Sequence, residues 1–112
     1  QGMRERLKAA SRLHQVFLTR ALTNTPEVIA TKQDLAVRAS QLYFEAGQQQ
    51  KAIIVLDQGL SLSREPSVLR AQLLIALADV ADAQGDPTRA RGALIEALQV
   101  NQALLSQELM TP

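Results

Sequence analysis

The chain holds one histidine and no cysteine, which narrows the chemistry open to it. His14 has no second imidazole or thiolate with which to share a metal, and a tetrahedral site needs three or four such donors. It falls on the apolar stripe of its segment, so a ring buried with its nitrogens satisfied is expected there. A general base would need a nucleophile and an orienting group beside it, and the sequence supplies neither. Asp79, Asp82 and Asp86 stand at i, i+3 and i+7, sharing part of one surface. Paired carboxylates can move protons or hold a divalent cation, but this spacing is not that of a calcium loop and no second cluster complements it. A solvated acidic face is expected, with a patch for a basic partner as the sharper alternative. The lone glycine of Gly85-Asp86-Pro87 cannot cradle a phosphate, and Gln48-Gln49-Gln50 is a short polar turn. The residues therefore predict no catalytic, cofactor or metal site, and no enzyme.

The elements that carry these residues are marked by punctuation. Thr25-Pro26 offers an N-cap followed by a proline at the first helical position, where a missing N–H costs nothing. Gly47 follows Glu45-Ala46 as a helix-ending glycine. Arg64-Glu65-Pro66 again places proline to open a helix. Gly85 can take the left-handed conformation that closes one helix, Asp86 can cap the next and Pro87 can begin it. Between these marks apolar residues recur at helical spacing and no stretch alternates with period two, predicting an all-α chain of five helices at about 4–23, 26–46, 49–63, 66–84 and 87–109. The first is amphipathic, with Leu7, Ala10, His14, Phe17, Leu18 and Ala21 opposite arginines. The fourth is apolar nearly all round, its only charges being Arg70, Asp79 and Asp82, which places it centrally, between the third and fifth helices. The fifth shows Ala90, Leu94, Ala97, Leu98 and Leu105 on one face and turns Glu96, Gln99 and Gln102 outward. Aromatic residues make up 3% of the chain, so the core must be aliphatic and alanine-rich.

The chain also repeats itself. A shift of 38 residues carries Gly47 onto Gly85, Ala52 onto Ala90, Leu56 onto Leu94, Gly59 onto Ala97 and Leu60 onto Leu98. Upstream it carries Ala36 onto Leu74, Ala39 onto Leu77, Ser40 onto Ala78 and Tyr43 onto Ala81. Large and small residues correspond at almost every place. This pattern resembles the tetratricopeptide repeat: a large residue, a large–small pair and an aromatic on the first helix, then small, large and small positions on the second. The resemblance covers residues 26–105, about two units. It departs from the family in its length, 38 residues against about 34, and in the small Ala36 at a large position.

The resemblance implies a right-handed fragment of α-solenoid forming one domain. Residues 1–24 would be an extra N-terminal helix, 26–65 a first hairpin and 66–110 a second. It places Ala52 and Ala90 at close helix crossings and Leu56 and Leu94 between successive hairpins. It further implies a concave groove lined by the first helix of each hairpin. Asp34, Val37, Arg38, Gln41, Phe44 and Glu45 would come from the first unit, and Gln72, Ile75, Asp79 and Asp82 from the second. Phe44 and Ile75 would be apolar anchors, with Arg38 and the acids setting orientation; the alternative is that both pack inside. The subset of the family that recognises C-terminal carboxylates uses a Lys/Asn pair where this chain has Val37 and Gln41, so that recognition is not implied.

Charge and hydropathy bound the partners. Net charge is +1, but residues 1–23 carry Arg4, Arg6, Lys8, Arg12 and Arg20 against Glu5. This basic helix is either a solvated face or a dock for an acidic neighbour. Nucleic acid is a poor match, with a pI of about 8.4, no basic stripe beyond one helix and no interleaved aromatics. The longest apolar run, Leu73–Ala78, falls far short of a membrane span. A cysteine-free chain with no visible signal peptide fits cytoplasm and periplasm equally. The opening Gln1-Gly2-Met3 has the look of a protease-tag remnant on a piece of a longer protein. The expected function is binding a protein or peptide, as one segment of a bacterial scaffold, secretion or assembly factor. The alternative is a dimerisation or regulatory domain of a signalling or transcription protein, which would make the chain a homodimer.

Overall fold

Backbone turns at two glycines fix how the helices follow one another. Gly47 and Gly85 have φ of +76° and +78°, the left-handed region that a Cβ disfavours. Each stands just past the end of a helix and closes it in the same way. The Gly47 N–H donates to the Phe44 carbonyl and the Gln48 N–H to the Tyr43 carbonyl; the Gly85 N–H donates to Asp82 and the Asp86 N–H to Ala81. These paired bonds satisfy carbonyls that the helix leaves open at its end. The computed structural model describes residues 2–110, and Gln1, with which the tag-like opening begins, lies outside them, as do Thr111 and Pro112. The described residues form α1 (Gly2–Leu18), α2 (Pro26–Glu45), α3 (Gln49–Leu60), α4 (Val68–Ala83) and α5 (Pro87–Met110), with no strand among them.

Helix starts follow from local chemistry. Thr25 caps α2, its hydroxyl accepting from the Val28 N–H at 3.2 Å ahead of Pro26. Asp86 caps α5, accepting from the Arg89 N–H at 3.1 Å ahead of Pro87. The third start differs from the sequence expectation: α4 opens at Val68, after Pro66, because the Ser67 hydroxyl accepts from the Arg70 N–H at 3.0 Å and takes the cap position. Two helices also end early. α1 stops at Leu18 instead of running to residue 23, its last turn tightened by a Thr19 N–H to Val16 carbonyl bond, while the Thr19 hydroxyl returns to the Gln15 carbonyl. α3 stops at Leu60 instead of residue 63. There Arg70 takes over, donating from Nη1 to the carbonyls of Leu60 at 3.2 Å and Ser63 at 2.9 Å.

The helices form a slab. α2 packs against α1, α3 and α4, and α4 packs against α2, α3 and α5. The shortest dimension, 19 Å, is two helix diameters of about 10 Å each. α2 and α4 lie side by side. Side chains tie α1 to α3 and α3 to α5: His14 to Gln58, and Arg89 to Asp57 through both carboxylate oxygens at 3.0 and 2.8 Å. As expected, α4 is central.

The core runs through the slab. All eight positions upstream of the glycines that correspond across the 38-residue shift, Ala36, Ala39, Ser40 and Tyr43 with Leu74, Leu77, Ala78 and Ala81, are buried. Small residues set the helix spacing. Gly59 sits where a Cβ would come within 2.9 Å of the Ala36 Cβ and 3.1 Å of a Leu73 methyl. Ala52 and Ala90 are buried on their hairpins, as the sequence predicts. Two faces differ from expectation. On α1, Ala10 and Phe17 of the expected stripe are buried, but Leu18 is exposed. On α5 the buried residues are Ala90, Ala93, Ala97 and Val100, leaving Leu94, Leu98 and Leu105 in solvent. α5 approaches α4 closely, and alanines permit that approach where leucines would hold the helices apart.

Candidate functional site

α2 and α4 stand side by side, and the helical period decides what they present along their shared edge. Val37 and Gln41 are four residues apart on α2; Gln72, Ile75, Ala76 and Asp79 follow one face of α4. These six residues line one open cleft of about 340 Å³. Its volume is at the low end for small-molecule pockets, which enclose about 300–1,000 Å³ and bury most of their ligand. An open furrow of this size accommodates one or two protruding side chains.

Five of the ten residues picked from sequence therefore meet in the cleft: Val37, Gln41, Gln72, Ile75 and Asp79. The other five lie elsewhere. Asp34 and Arg38 pair with each other at 3.5 Å, one turn apart on the exposed side of α2. Glu45 is engaged by Arg6 of α1 at 3.2 Å. Phe44, towards the end of α2, is 38% exposed, and Asp82 near the end of α4 is exposed. Phe44 and Ile75, the latter 43% exposed, are thus both open to solvent, so neither is a core residue. Ala76 is the lining residue that sequence reasoning missed. It carries no polar group to attract notice, and its position beside Ile75 was the only signal.

The cleft mixes chemistry. Val37, Ile75 and Ala76 form an apolar floor, while Gln41 and Gln72 each bring a carbonyl acceptor and an NH₂ donor, the pair of functions a peptide backbone requires. Asp79 adds one carboxylate. The acidic trio of the sequence is divided by the fold: Asp86 is occupied as the α5 cap, leaving Asp79 and Asp82 on α4. No group of three or more His, Cys, Asp or Glu side chains able to hold a metal is formed among the described residues.

His14 has a structural place. Its Nε2 lies 2.7 Å from Gln58 Oε1 and its Nδ1 lies 3.0 Å from the Tyr43 hydroxyl. Gln58 Oε1 can only accept, so Nε2 carries the proton and Nδ1 accepts from tyrosine. The ring thereby links α1 to α2 and α3, standing edge-on to Tyr43. Burial raises the pKa of Tyr43 above its ordinary value of 10.0, because desolvation penalises the phenolate.

A second apolar cleft, about 350 Å³, lies between the end of α1 and the start of α2, where Val16, Ala21, Val28 and Leu35 are rimmed by Arg20 and Lys32. Among the described residues no helix is long and apolar enough to cross a membrane. Comparison with known proteins finds no matching family model, no matching curated protein and no matching solved structure.

Proposed function

We propose that this chain is a protein-interaction module of tetratricopeptide-like type that holds an extended segment of a partner protein in the cleft between α2 and α4. The observation that carries the reading is the convergence of an apolar floor, two amide side chains and one carboxylate in a single open furrow. Such a furrow suits a segment that inserts an apolar side chain between Val37 and Ile75. Gln41 and Gln72 would bond its main chain, and a basic residue would lie towards Asp79 and Asp82. The matched turns at Gly47 and Gly85 support the family likeness, since they make the two helix pairs equivalent at the bend. A place within a larger bacterial scaffold or assembly protein is the setting in which such a module would serve.

The test is affinity capture with mass spectrometry from the source organism, comparing the wild-type chain with Val37→Arg and Ile75→Arg. Ile75 is exposed, so Ile75→Arg should keep the wild-type circular dichroism and melting temperature, while Val37 is half-buried against the core, so Val37→Arg should stay helical with a lowered melting temperature. Partners held by the cleft should be lost from both variants. Capture of an unchanged set of proteins by both would contradict the proposal.

A further inference from the structure

The outer face of α5 has a counterpart inside the molecule. The 38-residue shift puts Leu94 and Leu98 where α3 has Leu56 and Leu60. On α3 that face is covered by the following helix, and Leu56 is 0% exposed. On α5 no described helix covers it: Leu94 is 51% exposed and Leu98 58%, and Ile95, Leu105 and Leu109 continue the open stripe. α5 also outruns its support. Its 24 residues span about 36 Å against about 24 Å for the 16 residues of α4, so its last two turns, carrying Leu105 and Leu109, project past the end of α4.

The order of residues along the stripe says what fits it. Arg91, Leu94, Leu98, Asn101, Leu105 and Glu108 recur at alternating steps of three and four, the spacing of a coiled-coil seam. All six are exposed, and among the described residues neither Arg91 nor Glu108 forms an ion pair. The series is complementary to itself when reversed. We infer that a second copy of this chain covers the face, its α5 lying antiparallel across a twofold axis near residues 99 and 100. In that arrangement Leu94 and Ile95 meet Leu105 of the second copy. Leu98 meets Asn101 and Gln102, and Arg91 reaches Glu108 at both ends of the seam. The projecting turns of each copy then rest on the first turns of the other. A parallel pairing stacks Arg91 on Arg91 and Glu108 on Glu108, which like charges oppose. The interface is isologous, as a twofold dimer requires. It uses none of the residues that line the α2–α4 cleft, so it is independent of the proposed partner site.

Sedimentation velocity at roughly 1–200 µM, the range in which modest interfaces dissociate, tests the inference on the whole chain. The expected result is a reversible species of twice the 12.2 kDa monomer mass. Leu98→Glu should be monomeric with unchanged helicity, because that side chain is 58% exposed and lies outside the buried core. Arg91→Glu and Glu108→Arg should each raise the dimer dissociation constant roughly tenfold, since every substitution acts twice in a symmetric pair. The double variant Arg91→Glu/Glu108→Arg should return it to the wild-type value. A wild-type chain monomeric throughout would overturn the inference and leave the face to a different protein. A dimer indifferent to Leu98→Glu, or charge reversals whose effects add instead of cancelling, would overturn it equally.

Discussion

Gly59 lies in α3 and Gly92 in α5, and adding one methyl group to each should change stability in opposite directions. Gly59 is in the last turn of α3, where a Cβ would stand 2.9 Å from the Ala36 Cβ and 3.1 and 3.4 Å from the two methyls of Leu73. The Leu73 methyls can swing aside, but the Ala36 Cβ is fixed to the α2 backbone, so α2 and α3 must separate. Alanine in place of a helical glycine gains about 0.5–1 kcal/mol, while overpacking a dense core costs about 1–3 kcal/mol. The balance for Gly59→Ala is a loss of about 0.5–2 kcal/mol. At Gly92 in α5 an added Cβ meets nothing within 4 Å, so Gly92→Ala keeps the whole gain of about 0.5–1 kcal/mol. In a chain of this length 1 kcal/mol corresponds to about 4–8 °C in melting temperature. Thermal unfolding followed by circular dichroism should therefore show Gly59→Ala melting several degrees below wild type and Gly92→Ala several degrees above. Combining Gly59→Ala with Ala36→Gly isolates the contact, and the pair should show a favourable coupling of about 0.5 kcal/mol or more. If Gly59→Ala were as stabilising as Gly92→Ala, the close approach of α2 and α3 would be wrong, and with it the placement of the core.

His14→Ala should cost about 1–3 kcal/mol, because it leaves the Gln58 amide and the Tyr43 hydroxyl without their partner; chemical denaturation measures the loss, and a change below about 0.5 kcal/mol would contradict the network. Ala52→Trp and Ala90→Trp should each destabilise by at least about 1–3 kcal/mol, and a near-unchanged melting temperature for both would refute the hairpin crossings. Tyr43 adds a pH dependence. Its pKa is raised in the folded state, so the unfolded chain releases the phenolic proton first. The tyrosine's contribution is constant below about pH 10 and declines as pH rises through the folded value. Tyr43→Phe should flatten this alkaline decline when unfolding is measured from pH 8 to 12 (about two units either side of the ordinary value), and an unchanged slope would show that the hydroxyl is not sheltered.

Much of the architecture was written locally and could be read there. Thr25-Pro26, Gly47 and Gly85-Asp86-Pro87 act on backbone within three residues of themselves, through cap side chains or left-handed turns, so their turns were predictable from residue type. The misreadings arose where distant contacts decide. Pro66 looked like a helix opener, but Ser67 beside it makes the cap hydrogen bond and wins the position. The end of α3 depends on Arg70, ten residues further on, which donates to its last carbonyl. α5 misled because hydrophobicity favours Leu94 and Leu98 inside, whereas a close helix pair selects Ala90, Ala93 and Ala97. The cleft was half legible. Helical spacing puts all ten sequence candidates on α2 and α4, the helices that border the cleft. Only the relative offset of α2 and α4 selects the five that face one another, and offset is a tertiary property.

The central claim is that the α2–α4 cleft receives an extended partner segment. Its most direct test is nuclear magnetic resonance mapping of a peptide selected from a displayed library against the wild-type chain and titrated into the isotope-labelled protein. The amides of Val37, Gln41, Gln72, Ile75 and Asp79 should shift together along one binding curve, and the peptide should show contacts to the Val37 and Ile75 methyl groups. Shifts gathered instead around Val16, Val28 and Leu35 or along α5, with the cleft resonances unmoved, would contradict it.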